Sequence, residues 1–207
     1  MRTLIHSAAA ALFAVAAFTL PAVAQSAKVD PAVVEKAVTG MFGHAPAAWQ
    51  EKIVQDETQK ACSLHRNAPP ADVAKAISAR EEKNVVLPAD GKFLGDWKSG
   101  EKIAQSGYGG RHTDDPKREV GGNCYACHQL SKKELSFGTM GPSLVEYGKI
   151  RKYKDEDVKA AFIKIYNAQA VFPCSNMPRL GHSKHLNEQQ IKDLVALLFD
   201  PESPVNK

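Results

Sequence analysis

The chain has 207 residues, a formal charge of +4, 43% hydrophobic residues and 7% aromatic residues. This is enough apolar material for a core, and the length allows one domain with an extension or two small domains. The weak positive balance is spread along the chain instead of gathering on one basic face, which argues against a nucleic-acid partner.

At the N-terminus, Arg2 precedes an apolar run from Leu4 to Leu20, and Ala22 and Ala24 stand before Gln25. A positive end, a short apolar stretch and an A-x-A site predict a secretory signal peptide over residues 1–24, cleaved after Ala24. The run is alanine-rich and too short for a membrane anchor. The mature chain is therefore expected to begin near Gln25 and to be periplasmic without an anchor. Its charge falls from +4 to +3, because residues 1–24 contain Arg2 and no acid.

Residues 25–90 are predicted to form a helical extension with no cofactor motif of its own. Val33, Val34, Ala37, Val38 and Met41 make one apolar stripe at helical spacing, and Val73, Ala76 and Ile77 make another. Asn67-Ala68-Pro69-Pro70 breaks the two apart, and Pro88-Ala89-Asp90-Gly91 marks the boundary with the next domain. Too small for a large independent core, the extension should lie on that domain or on a partner.

A helix is predicted over about residues 93–105, with Gly95 and Gly100 permitting close approach of another helix. A glycine-rich loop, 107–122, leads to Cys124-Tyr125-Ala126-Cys127-His128. Two thiols three positions apart can add to the two vinyl groups of one haem, and the adjacent His can turn onto the iron from the same side. C-x-x-C also occurs in thioredoxin-like sites and in zinc sites. The first would want a strand before the motif, and the second another ligand pair, whereas Cys62 and Cys174 are isolated. The motif therefore points to one covalently bound haem c, held by Cys124 and Cys127, with His128 as an iron ligand.

Gly141-Pro142-Ser143-Leu144 resembles the G-P-x-L turn that comes after the haem motif in many small cytochromes c. That resemblance implies that the Pro142 carbonyl accepts the other ring N–H of His128 and fixes its tautomer. A second helix is predicted from about Asp155 to Asn167, with Val158, Ala161, Phe162 and Ile165 on one face.

Candidates for the sixth iron ligand are Met177, Met140, Met41, His182, His185, His112, His65 and His44. Met177 is favoured because it sits in an irregular Asn176-Met177-Pro178 loop between two predicted helices, and a Met-Pro pair about 50 residues after the haem histidine and just before the last helix resembles the usual arrangement in small cytochromes c. Met140 is too near the proximal turn to cross the ring. His182 and His185, read as an exposed polar loop, would give a bis-His site of lower potential, whereas a thioether favours reduced iron. In the last helix, Asn187 is an N-cap with Gln190 three residues on, and Ile191, Leu194, Val195 and Leu198 form the buried stripe before Asp200-Pro201 stops it. The fold class expected is all-α, a class I cytochrome c-like domain over residues 91–207 with the helical extension before it. Cys62 and Cys174 are expected to pair in an oxidising compartment, the other options being a bond from each to a partner chain or a free thiol.

With these residues in place, the chain resembles the SoxX family, the mono-haem subunits of the SoxAX cytochromes of bacterial thiosulfate oxidation. The likeness runs through residues 122–129, Gly141 to Leu144, Ile165-Tyr166-Asn167, Met177-Pro178-Arg179-Leu180-Gly181 and the tail Asp200-Pro201-Glu202-Ser203-Pro204-Val205-Asn206. It implies a heterodimer with a SoxA-like cytochrome whose haem hosts the chemistry, an L-cysteine S-thiosulfotransferase joining thiosulfate to a cysteine of the carrier SoxYZ with release of two electrons. This chain would accept electrons and pass them to a small soluble cytochrome, and no residue here is assigned a catalytic role. Residues 25–90 and the two isolated cysteines depart from the shorter members of that family. The competing readings are a free-standing cytochrome c shuttle, which shares every haem residue, and an open-iron haem enzyme or gas sensor.

Overall fold

A computed structural model describes residues 29–207. The signal peptide expected at residues 1–24 lies outside the described residues. The described residues divide into two units, the first ending at Met41 and the second running Phe42–Lys207. The first contributes most of helix α1 (Pro31–Phe42), which starts where Asp30 accepts a hydrogen bond from the Ala32 N–H and Pro31 takes the first helical position. The predicted stripe does become a helix, yet Val33, Val34 and Met41 are exposed and α1 buries no residue.

In the second unit the helices are α2 (Ala47–Gln50), α3 (Glu57–Leu64), α4 (Ala71–Lys83), α5 (Trp97–Gln105), α6 (Tyr147–Ile150), α7 (Asp155–Tyr166), α8 (Ala168–Val171) and α9 (Glu188–Phe199). No strand occurs among the described residues, so the protein is all-α. α9 has the predicted capping box: Asn187 accepts from the Gln190 N–H while the Gln190 side chain accepts from the Asn187 N–H.

The helix expected over 93–105 begins four residues later, at Trp97. Asp96 stops it from starting earlier, because its carboxylate caps the Lys98 and Ser99 N–H groups from an extended backbone. Phe93 remains useful outside the helix, with its ring edge-on to Phe162 at 5.4 Å between centroids. The helix predicted to reach Asn167 ends at Tyr166, where Asn167 turns to cap the Gln169 N–H at the start of α8.

α5 and α9 cross closely, and the two glycines are the reason. A Cβ at Gly100 would collide with the Asp193 backbone, and one at Gly95 with the Asp193 carboxylate. The Gly95 N–H donates instead to the Lys192 carbonyl, and the Asp96 N–H to Asp193 Oδ1 at 2.9 Å. Ile103, Ala104, Phe162, Ile191, Leu194, Val195 and Leu197 form the buried core around this crossing.

The C-terminal tail folds back on the same core. Val205 and Ser203 are fully buried. The Asn206 side chain accepts from the Gly148 and Lys149 N–H groups at the start of α6 and donates to the Leu198 and Asp200 carbonyls at the end of α9. One amide thus closes two helix ends that would otherwise leave backbone groups unpaired. Asn206→Ala is expected to lower unfolding free energy by about 2–3 kcal/mol, read by urea denaturation with an unchanged slope.

Candidate functional site: a cysteine-bearing cavity

The motif segment is set by its backbone before its side chains matter. The Gly122 N–H donates to the Ile103 carbonyl, and the Asn123 N–H to Ser106, which ties the loop to the end of α5. Asn123 adopts a left-handed conformation, φ 49°, that reverses the chain into a short 3-10 turn at Cys124–Ala126. Three hydrogen bonds then lay the downstream segment alongside: Gly138 N–H to Tyr125, Gly141 N–H to Cys127 and Leu144 N–H to Gln129.

This pairing delivers the Pro142 carbonyl to His128 Nδ1 at 2.7 Å. A carbonyl can only accept, so in the neutral ring Nδ1 carries the proton and Nε2 keeps a lone pair free to bind another group. Gly141 lies under the ring, where a Cβ would collide with the imidazole. Gly141→Ala is therefore expected to displace the ring, remove the hydrogen-bonded Nδ1 proton resonance and cost about 1–3 kcal/mol of stability.

These residues line a cavity of about 670 Å³, a volume in the range of small-molecule and cofactor sites. Cys124, Cys127, His128 and Pro142 contribute to its wall, and Met177 contributes from the loop between α8 and α9. Leu130, Ile165, Leu194, Leu197 and Leu198 supply apolar surface from the core. Cys124 and Cys127 are not bonded to each other, although the remaining two cysteines are paired. The apolar walls push the Cys124 thiol up to about 12, so it is protonated at neutral pH. Among the described residues no three His, Cys, Asp or Glu side chains converge as a metal site.

Of the candidates for a second iron ligand, Met177 and Met140 line the cavity. Met140 is largely exposed, whereas Met177 is half-buried and packed against the core, its N–H held by Ser175 Oγ. His44, His65, His112, His182 and His185 lie elsewhere. Contrary to expectation, His182 and His185 do not stand exposed: both are half-buried, and His185 Nε2 is 2.9 Å from the Gly121 carbonyl.

Sequence reasoning missed two cations on the cavity wall, Arg151 and Lys164. The Arg151 guanidinium stacks on Tyr147 at 3.5 Å, and Lys164 Nζ lies 4.0 Å from the Phe172 ring centroid. Lys164 has no carboxylate partner among the described residues, and burial, then the Arg151 charge, holds its ammonium pKa below the usual lysine value. No periodicity or motif marks either residue.

The expected disulfide is present: Cys62 and Cys174 are joined, with Cα atoms 5.2 Å apart. Beside it lies a buried polar cluster that the sequence did not suggest. Glu81, 2% exposed, accepts from Thr58 Oγ1, from Asn167 Nδ2 at 2.8 Å and from Arg179 at 3.3 Å. Burial raises its carboxyl pKa, but these three donors outweigh burial and leave it below the usual glutamate value.

The fold and cavity define an all-α protein with an apolar, cysteine-bearing site. No protein-family model matches the chain. A protein of Aquifex aeolicus (strain VF5) named "Uncharacterized lipoprotein" is 39% identical over 159 residues, covering 74% of this chain and 73% of the relative. The chain belongs to the same family as that protein. No helix among the described residues is long and apolar enough to cross a membrane.

Proposed function

We propose that this is an exported, periplasmic mono-haem c-type cytochrome with a class I cytochrome c-like domain over residues 91–207, acting as the electron-transfer subunit of a SoxAX-like complex. The observation that carries the reading is the meeting of Cys124, Cys127, His128 and Met177 on one apolar cavity. A haem bound there supplies a reversible one-electron iron couple. The two unpaired thiols are the residues that would form thioether links to its vinyl groups. His128, its Nδ1 committed to Pro142, would offer Nε2 to the iron, and Met177 would offer its thioether as the other protein ligand. Arg151 and Lys164 bring positive charge to the cavity wall, suited to the group's two carboxylates. The leucines exclude water, and a site closed by two side-chain ligands favours electron transfer over substrate binding.

The placement within a thiosulfate-oxidising complex rests on the likeness of the Met177-to-Gly181 segment and the Asp200-to-Asn206 tail to SoxX chains. In that setting the S-thiosulfotransferase chemistry belongs to the SoxA-like partner acting on the SoxYZ carrier, and electrons leave this chain for a small soluble cytochrome. The relative's name supports export. The test is to mix the haem-loaded protein with the SoxA-type cytochrome of the same genome and measure mass in solution. A one-to-one complex that reduces a soluble cytochrome in the presence of thiosulfate and carrier is expected. A persistent monomer that exchanges electrons alone would favour a free shuttle instead.

A further inference from the structure

The loop that presents Met177 has little regular structure of its own between α8 and α9. Three residues around the methionine are each fastened to the segment containing α3 and α4. Cys174 is bonded to Cys62, and Asn176 Oδ1 accepts from Asn67 Nδ2 at 3.3 Å. Arg179 donates to Asp56 Oδ2 at 2.5 Å and to both Glu81 oxygens at 3.3 and 3.4 Å. Thr58 and Asn167 also donate to the Glu81 side chain, and Arg80 Nε lies 4.0 Å from Glu81 Oε1.

A buried ion pair is a poor way to gain stability, since apolar residues of the same volume often do as well. What it gives is direction: Arg179 can satisfy Asp56 and Glu81 together only at one placement of the loop. A thioether bound to iron needs just such fixed placement, because the sulfur–iron bond is weak and an external ligand can replace it when the loop swings away.

We propose that Glu81 and Arg179, with Asp56, are positioning residues that hold the Met177 loop in its iron-binding placement, so that the N-terminal extension sets how readily the sixth coordination position opens. This rests on the proposed ligation of the iron by His128 and Met177. The links run from α3 and α4 to both sides of the methionine, at Cys174 and Asn176 before it and Arg179 after it. Opening the loop requires breaking the Arg179 contacts, so the free energy of that break appears directly in the affinity of any ligand that displaces Met177.

The experiment is imidazole binding to the oxidised, haem-loaded full chain, followed together with the near-infrared sulfur-to-iron band. Glu81→Gln and Arg179→Gln are expected to bind imidazole at least about tenfold more tightly than the parent, with the band weakened before imidazole is added. Asp56→Asn protects the test against simple misfolding: Asn caps α3 as well as Asp does, so folding is kept while one charge facing Arg179 is lost. It is expected to shift affinity in the same direction by a smaller factor, and Arg179→Lys is expected to restore part of the parent behaviour. Val195→Ala, a core change in α9 away from the link, should lower the melting temperature without moving imidazole affinity. If Glu81→Gln and Asp56→Asn bind imidazole like the parent while the parent shows the band, the positioning role is overturned. If Val195→Ala raises imidazole affinity as much as Glu81→Gln does, the effect is general destabilisation and the role is likewise overturned. A parent without the band overturns the Met177 ligation itself, and the positioning role with it.

Discussion

Met177→Ala is expected to abolish the near-infrared band, lower the reduction potential by on the order of hundreds of millivolts and let the reduced protein bind carbon monoxide. Among the candidates considered, Met177 and Met140 reach the cavity, and of the two Met177 is packed against the core while Met140 stands in solvent next to Gly141. A neutral thioether stabilises ferrous iron more than an imidazole or water does, so its loss shifts the couple downward. Met140→Ala is the matched comparison and should leave spectrum and potential where they were. An unchanged potential in Met177→Ala would remove this residue from the iron and return an open-iron or bis-His site to consideration.

Removing the Cys62–Cys174 disulfide is expected to have the largest effect on stability. The bond closes a loop with a sequence separation of 112, for which chain entropy alone predicts up to about 4–5 kcal/mol. Both sulfurs are buried beside Ile77, so the double Cys→Ala variant also leaves small voids there. Urea denaturation should place the reduced parent well below the oxidised parent, and the variant somewhat below the reduced parent because of the voids. Equal midpoints for oxidised and reduced parent would mean that the bond adds nothing to folding.

The parts legible in the sequence were those governed by local rules. The Asn187/Gln190 capping box and the α9 stripe each depend on a few adjacent residues, and each is present as expected; the close approach at Gly95 and Gly100 is also present, but it joins segments distant in the chain. The Cys124-to-His128 spacing pointed to residues that do share a cavity, and the Pro142 contact to His128 fits the turn inferred from resemblance. The start of α5 is not legible because apolar Phe93 suits either a helix or the extended segment that precedes Asp96.

The features that escaped notice depend on contacts between distant positions. Glu81 and Arg179 are 98 residues apart, and each alone looks like an ordinary surface charge. Asn206 reads as a tail residue until α6 and α9 are seen to end beside it. Arg151 and Lys164 face the cavity from different helices' neighbourhoods, so no single helical period contains both. α1 shows the opposite error, since a good apolar stripe predicted the helix and said nothing of whether the stripe is covered.

The proposed function requires covalent attachment of one haem through Cys124 and Cys127. The most direct measurement is the intact mass and pyridine-adduct spectrum of the protein after export in a host that matures c-type cytochromes and extraction with acidified acetone. One haem per chain that stays with the protein, and is lost in the Cys124→Ser, Cys127→Ser double variant, is the predicted result. A colourless chain at its apoprotein mass, or haem that washes out in the solvent, would contradict it.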